Sequence, residues 1–510
     1  MKGTFLAMNT ELIVFILYFA FMLGIGIYFF IRGRNRASEK EYFLGGRQMG
    51  PWVTAMSAQA SDMSAWLLMG LPGSMLAFGL GQAWIGIGLA IGTAANWILV
   101  AKRLRKFSQA ANDSITLPQY LSNRFASSNK ILQIVCAIVF LVCFTVYVAS
   151  SFVAGASVFT SIFPDINPSI AMLIFAAILI LYTFLGGFRA VSWTDFFQGT
   201  LIFVAILAIP ICIAFTQNLD PAKLTELYSY TDTDGTVVNC SFTGNVFAAT
   251  PLEIINGLAW GLGYFGMPHI LVRFMGIKKA SMVKTSAIVA IVWVVISLGG
   301  VMVLAYLGRM MVAETLLPDG SQKMVFIELA RKLFPPVIAG VLLSAVIAAS
   351  MSTADSQLLV ASSSFTSDIY RPIIRKKAGE KEALWVGRVL VLIIAVVAYF
   401  IASSKGSGAQ AIMNMVENAW AGFGSAFGPT IILSLFWRRF TYKGAVAGVI
   451  TGALVDVIWL VCFSATGLYE IVPGFVLGMI AAVVVTLLDK QPSKEVTDIY
   501  DRAVSAEFEE

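Results

Sequence analysis

Long apolar runs dominate the chain, and its polar residues gather in the gaps between them. Thirteen stretches are long enough to cross a bilayer core, which takes about 20 helical residues. They run approximately over 11–32, 51–79, 80–101, 130–161, 168–187, 193–216, 246–272, 284–308, 335–366, 383–403, 410–437, 443–464 and 468–488. Polar and apolar positions do not alternate within them, which excludes membrane strands. The pattern predicts an all-α integral membrane protein of about 13 transmembrane helices.

Two of these stretches are interrupted. The second contains Ala60-Ser61-Asp62-Met63-Ser64-Ala65, a polar patch with a carboxylate near its middle. The seventh contains Trp260-Gly261-Leu262-Gly263-Tyr264-Phe265-Gly266-Met267-Pro268-His269, where three glycines and a proline weaken a helix. The breaks lie five spans apart, so the two segments cross the membrane in opposite directions. That spacing predicts an inverted five-plus-five repeat with a binding site where the breaks meet.

Composition sharpens the picture. Hydrophobic residues make up 58% of the 510 residues and charged residues 13%, against about 25% charged in a soluble domain. The basic residues are distributed unevenly. With the N-terminus outside, 27 of the 35 Lys and Arg fall in or beside inner loops and 7 in or beside outer ones. The positive-inside rule therefore puts the N-terminus outside and the C-terminus in the cytosol. The net charge of +6 is explained by that bias and by anionic lipid, with no nucleic-acid partner. The first span exceeds a signal-peptide core. Arg32, Arg34 and Arg36 follow it without a small-residue cleavage site, so it is expected to be retained.

The five cysteines show no CxxC spacing, which implies neither a disulfide framework nor zinc. Asn239-Cys240-Ser241 matches the glycosylation pattern, but so short a match is weak. His269 is the only histidine; it excludes HExxH chemistry and is expected to be packed or to lie near a loop. The expected organisation is a first helix and basic loop over 1–40, a core over 41–437 (helices 2–11, broken near 60–65 and 260–268), two peripheral helices over 438–490, and a tail over 491–510.

The chemistry sits at the breaks. The lower half of the second span ends there with free carbonyls and a negative dipole end, and the upper half begins with free N–H groups and a positive end. One break thus offers an oxygen seat for a cation beside a donor seat for a carboxylate. The ninth span carries Ser352 and Thr353 in a polar run flanked by alanines. Such hydroxyls commonly serve only to pack helices, but beside a broken helix they suit a sodium ion. A carboxylate as deep as Asp62 usually faces a polar pathway, although it can also cap the broken end. Asp195 and Asp355 lie nearer the inner ends of their spans and are expected either to line an ion exit or to pair with loop bases such as Arg189. Glu417 and Asp456 are also intramembrane, with no role assigned. Tyr147, Trp260 and Tyr264 sit where an aromatic box around an apolar ring would form, at mid-span rather than in an interfacial belt.

The segments FLGGR (43–47), GPWVTAMSAQASDMS (50–64), WLLMGLPG (66–73), LPQY (117–120), TVYVAS (145–150), GGFRAVSWTD (186–195), WGLGYFGMPHILVRF (260–274), LLSAVIAASMST (342–353), AWAGFGSAFGP (419–429) and YEIVPGF (469–475) resemble those of the bacterial sodium/proline symporters of the sodium/solute symporter family. The resemblance implies a leucine-transporter-type core in helices 2–11. It implies sodium at the carbonyls of Ala60, Met63 and Ala349 and the hydroxyls of Ser352 and Thr353. It implies coupling roles for Asp62, Arg47 and Asp195, and a proline pocket involving Ser64, Trp66, Gly70, Tyr147, Trp260, Tyr264 and Pro268. Ala65 stands where that pattern has glycine, a residue that accepts backbone angles alanine resists.

The expected activity is therefore sodium-coupled import of L-proline across a bacterial plasma membrane by alternating access, with sodium as co-substrate, no cofactor, no enzymatic reaction and no obligate protein partner. The competing expectations are a different solute, such as another amino acid or pantothenate, and a non-transporting membrane sensor.

Overall fold

The computed structural model describes residues 2–33, 38–231, 235–405 and 411–505. Arg34 and Arg36 of the first basic loop lie outside them. Fourteen principal helices carry the architecture: α1 Lys2–Gly33, α2 Pro51–Met63, α3 Gly70–Phe78, α4 Leu80–Ala110, α5 Ile131–Ile162, α6 Pro168–Thr216, α7 Pro251–Ala259, α8 Pro268–Gly276, α9 Val283–Leu316, α10 Pro336–Ser364, α11 Glu380–Lys405, α12 Ala411–Phe436, α13 Tyr442–Cys462 and α14 Ile471–Leu488. Ten helical stretches among the described residues are long and apolar enough to cross a membrane. The other three expected spans fall on shorter helical pieces: α2 with α3, α7 with α8, and the part of α6 before Gly187.

Burial separates the core from the periphery. The most apolar windows of α10 and α12 are each 83% buried, whereas that of α1 is 17% buried. The exposed side chains of the outer helices are apolar, among them Leu17, Val142 and Phe400, as hydrocarbon contact requires. α10 packs against α5, α6 and α1, while α12 packs against α13, α14 and the turn between α7 and α8. This all-helical bundle has the leucine-transporter-type architecture.

Two expectations at the level of elements need correction, and two smaller elements add to them. The loop expected between 187 and 193 does not exist; α6 runs from Pro168 to Thr216 and turns at Gly187 alone, with φ 60° and ψ 177°. Only glycine adopts that backbone cheaply, and a Cβ there would meet the Tyr42 ring at 2.9 Å. The ninth span is longer than expected: beyond Ser364 the helix continues as a wide π-turn to Ile374. The outer segment after α6 contains a small antiparallel hairpin, β1 Tyr228–Thr231 with β2 Val237–Cys240, Tyr228 opposite Cys240. In the tail, Lys494–Val504 is helical.

The broken seventh segment is held against α4 by close backbone packing. α4 meets the seventh segment through glycines: a Cβ on Gly92 would lie 2.4 Å from the Gly261 carbonyl oxygen, and one on Gly261 would lie 2.5 Å from that of Gly88. Small residues at a helix crossing let backbones approach in a membrane. Here they press the unwound turn of the seventh segment into the core.

Candidate functional site

α2 ends at Met63, so its last four carbonyls, those of Ala60, Ser61, Asp62 and Met63, lose their intrahelical partners. The chain turns at Ser64, which takes φ 46° and ψ −175°. A non-glycine residue in that region costs of order 1–3 kcal/mol, so the break is imposed by its surroundings. Ala65 begins the following 3₁₀ turn, Ala65–Leu67, without a positive φ. The residue bearing the unusual backbone is thus Ser64, and alanine at 65 fits its place.

The break presents fewer free donors than two ideal helix ends would. Trp66 N donates to Ser64 Oγ at 3.1 Å, Leu67 N to the Ser64 carbonyl at 3.3 Å, and Leu68 N and Met69 N to that of Ala65 at 3.1 and 2.9 Å. The freed carbonyls find partners from other helices. Ser352 Oγ, on α10, donates to the Ala60 carbonyl at 2.8 Å and also lies 3.3 Å from that of Ala349. Tyr147 Oη, on α5, approaches the Asp62 carbonyl at 3.4 Å. Thr353 is fully buried, and its hydroxyl has no hydrogen-bond partner. A buried unpaired hydroxyl is costly and suits a hard cation. Of the expected sodium ligands, Ala60, Ala349 and Ser352 therefore form one contact network, and Thr353 follows Ser352 on the same helix. Met63 closes α2, and among the described residues no hydrogen bond joins its carbonyl to α10.

Asp62 is 3% exposed. Its Oδ2 accepts a hydrogen bond from Tyr264 Oη at 2.6 Å, which joins the break of the second segment to that of the seventh. Tyr264 stands in the 3₁₀ turn Trp260–Phe265, which ends before Pro268 opens α8. The aromatic residues gather here. Trp66 stacks on Trp260 at 5.3 Å between centroids, and a Cβ on Gly70 would meet Trp66 Cδ1 at 2.7 Å, so the indole lies directly on Gly70. Tyr147 meets the buried His269 edge-on at 6.4 Å, which places the histidine among packed rings.

Trp420 and Met413, both on α12, were not singled out as site residues in the sequence. Trp420 Nε1 donates to the Trp260 carbonyl at 2.8 Å, and its ring meets Tyr264 edge-on at 5.0 Å. Met413 Sδ accepts from Trp66 Nε1 at 2.7 Å. Trp420 belongs to the AWAGFGSAFGP segment, but its partner lies 160 residues away, a pairing that no local spacing reveals.

Asp195 is not paired with Arg189, which bridges to Glu41 at 3.0 Å. Its partner is Arg273, from Nη2 at 3.2 Å, and its Oδ2 also accepts from Ser57 Oγ at 2.7 Å. Arg273 belongs to α8 and is 2% exposed, whereas the span boundary read from hydropathy leaves it in a loop. It also donates to Ser57 Oγ, Ser356 Oγ and the His269 carbonyl. Asp355 lies beside it, accepting from Ser356 Oγ at 3.2 Å. This buried ion pair lies along α2 and α8 on the Pro51 side of the break, apart from the Asp62–Tyr264 pair.

Arg47 closes the same end of the bundle. Its φ is 54° and it is 5% exposed. Its guanidinium donates to Asp113 Oδ1 at 2.8 Å, Ser108 Oγ at 3.1 Å, the Met275 carbonyl at 2.5 Å and the Ser114 carbonyl at 2.8 Å. One side chain thereby ties the start of the second segment to the ends of α4 and α8. Lys40 also bonds Asp113. Burial pushes the Asp113 carboxyl up, but the Lys40 and Arg47 contacts outweigh it and hold it below its ordinary value.

The sequence profile of the Sodium:solute symporter family matches residues 42–452. A sodium/proline symporter of Haemophilus influenzae is 43% identical over 98% of this chain and 98% of its own length. An osmoregulated proline transporter of Bacillus subtilis is 42% identical over 96% of both chains. Among solved structures, a substrate-bound, outward-open Na+-coupled sialic acid symporter superposes with a TM-score of 0.75 at 20% identity, covering 95% of this chain and 99% of its own. That last likeness concerns the fold.

Proposed function

The chain belongs to the sodium:solute symporter family, and from that premise we propose that it imports L-proline with sodium across a bacterial plasma membrane. Sodium-coupled solute symport is the family's activity. The observation that carries the finer reading is the break of the second segment, where the Ser352 hydroxyl bonds the Ala60 carbonyl and, two residues on, Tyr264 bonds the Asp62 carboxylate, all of them buried.

In this reading the sodium seat is formed by the carbonyls of Ala60, Met63 and Ala349 and the hydroxyls of Ser352 and Thr353. The Ser352 hydrogen points toward the Ala60 oxygen. A cation between these oxygens requires that hydrogen to swing away, so that lone pairs of both face the ion. Sodium thus replaces a hydrogen bond linking α2 to α10 with a shared ion. Asp62, steadied by Tyr264, supplies negative charge beside the seat. The imino acid lies next to it, its ring against Tyr147, Trp260 and Tyr264, with Ser64, Trp66, Gly70 and Pro268 shaping the pocket. Binding sodium first orders the break and raises affinity for proline, a coupling that acts equally in reverse.

The N-terminus faces outward and the end closed by Arg47 faces the cytosol. Release inward then requires the Arg47 contacts with Asp113, Ser108, Ser114 and Met275 to part, which links the α8 end to the break through a rigid helix. Asp195 and Arg273 line the inner route. A membrane potential contributes about 2.3 kcal/mol per charge per 100 mV, or roughly fifty-fold accumulation of a neutral zwitterion for each sodium charge moved. Uptake of labelled proline into proteoliposomes tests this reading. It expects accumulation only with an inward sodium gradient and competition by unlabelled proline. Sodium-independent flux, or competition by pantothenate and not by proline, would overturn it.

A further inference from the structure

A buried carboxylate that the transport reading does not use lies where α10 ends. Beyond Ser364 the helix widens into the π-turn Phe365–Ile374, and Asp368 stands in it, 0% exposed. Wide turns of this kind recur at functional sites. Thr116 Oγ1 donates to Asp368 Oδ2 at 2.9 Å and lies 3.1 Å from Oδ1. Ser364 Oγ donates to Oδ2 at 3.2 Å, and Gln133 Nε2, in the first turn of α5, to Oδ1 at 3.4 Å. Thr116 also caps the short helix Leu117–Arg124, accepting from Gln119 N at 3.2 Å. Three elements therefore meet on one carboxylate. Ser364 follows Ser352 by twelve residues of α-helix, so the cluster lies roughly 18 Å along α10 from the proposed sodium seat. It shares no residue with the Asp195–Arg273 pair. It stands at the end closed by Arg47, because Ser114, whose carbonyl Arg47 holds, precedes Thr116 by two residues.

The cluster has no counter-charge of its own. Among the described residues no Lys or Arg forms an ion pair with Asp368. Arg371, on the same turn, pairs with Glu39 at 2.8 Å. Lys130 and Glu39 act on Asp368 only from beyond ion-pairing distance. A buried carboxylate answered by neutral donors alone is costly. A second, independent feature points to what balances it. Gln133 is 4% exposed and its Oε1 has no hydrogen-bond partner, although the same amide faces Asp368 through Nε2. Turning that amide over sets its unpaired oxygen against the carboxylate, which is repulsive unless a cation lies between them. The Thr116 and Ser364 hydroxyls likewise offer lone pairs once their hydrogens swing away. One carboxylate, two hydroxyls and one amide oxygen make a hard-oxygen set. A single negative charge is balanced by a monovalent ion, whereas a divalent ion would leave a buried positive charge.

We propose that Asp368, Thr116, Ser364 and Gln133 form a separate monovalent-cation site, which fastens the ends of α5 and α10 to the turn held by Arg47. The oxygens would accept sodium that has left the transport seat or potassium from the cytosol, and the test distinguishes the two. An ion here turns an uncompensated charge into a balanced junction, so occupancy favours the state in which this end is closed. The site does not depend on which solute the protein carries.

The test is thermal unfolding of the purified full-length protein against added NaCl or KCl, with N-methyl-D-glucamine chloride holding ionic strength constant. It is run on the Ser352→Ala protein, in which the transport seat is weakened. The unfolding temperature of this parent should climb with the logarithm of the added cation above half-saturation. A climb with sodium alone identifies the transported ion, and a climb with potassium identifies the cytosolic one. Adding Asp368→Asn should abolish the climb. In N-methyl-D-glucamine alone, that variant should be at least as stable as its parent, because it removes an uncompensated charge. Gln133→Leu should raise the half-saturating concentration about tenfold, and it serves as the test if Asp368→Asn does not fold. A parent that responds to neither cation overturns the site, as does a response that survives both substitutions. An equal loss of stability from Asp368→Asn with and without cation also overturns it, since Asp368 would then be only an acceptor for three donors. None of these outcomes touches the transport seat, whose failure is read from sodium-driven proline uptake by the wild type.

Discussion

Replacing Tyr264 with phenylalanine removes one atom from the junction between the two broken segments. The ring, and with it the edge contact to Trp420 at 5.0 Å, is retained. What is lost is the 2.6 Å hydrogen bond to Asp62 Oδ2. Hydrogen bonds to charged groups contribute about 1.5–3 kcal/mol net, and this one is fully buried. If Asp62 acts as an ion held in place by Tyr264, kcat/KM for proline should fall roughly 10- to 150-fold. The assay is initial-rate uptake in proteoliposomes at fixed sodium, repeated over a sodium range. A double-mutant cycle identifies the cause. Once Asp62→Asn has removed the charge, adding Tyr264→Phe should cost little more, since contacting residues are strongly non-additive. Equal losses in both backgrounds would mean that Tyr264 acts on the solute alone, and an unchanged kcat/KM in the single variant would refute the linkage of the two breaks.

Other substitutions probe neighbouring contacts. Ser352→Ala removes a donor to the Ala60 carbonyl and should raise the sodium concentration for half-activation about tenfold, at a cost near 1–3 kcal/mol; sodium titration of uptake reads it. Gly70→Ala places a Cβ 2.7 Å from Trp66 Cδ1, so it should raise the KM for proline while leaving sodium half-activation unchanged. Asp113→Asn should loosen the Arg47 clamp, seen as faster labelling of a cysteine introduced on the inner pathway. The Asp113 carboxyl is held below its ordinary value by Lys40 and Arg47 against the pull of burial. Its stabilising contribution is therefore complete above the ordinary pKa of about 3.9 and is lost as pH falls through the lower folded value. The difference in unfolding temperature between wild type and Asp113→Asn should accordingly stay constant from pH 8 to pH 5.

Much of the site was legible because a membrane makes polar residues conspicuous. A carboxylate at Asp62, hydroxyls at Ser352 and Thr353, and glycines before Pro268 have no cheap place in hydrocarbon, so their positions marked the breaks. The spacing of those breaks gave the repeat. What escaped was set by partners distant in sequence. Arg273 read as a loop residue because the hydropathy boundary fell just before its charge, yet Asp195 and Ser57 allow α8 to bury it. Asp195 was weighed against the nearby Arg189, but Glu41 occupies that cation. Trp420 and Met413 are ordinary core residues in pattern, and only the fold brings them onto Trp260 and Trp66. The five-residue loop expected before 193 vanished because one glycine at φ 60° kinks the helix and lets it resume at once. Glycine at 65 proved unnecessary because the strained backbone falls on Ser64.

The most direct test of the central claim is a structure of the protein solved with sodium and proline at saturating concentrations. The account predicts an ion directly coordinated between the Ala60 and Ala349 carbonyls and the Ser352 and Thr353 hydroxyls, with the Ser352–Ala60 hydrogen bond replaced and the solute ring beside Tyr264. Transport-competent protein in which that hydrogen bond persists and the ion lies elsewhere would contradict it.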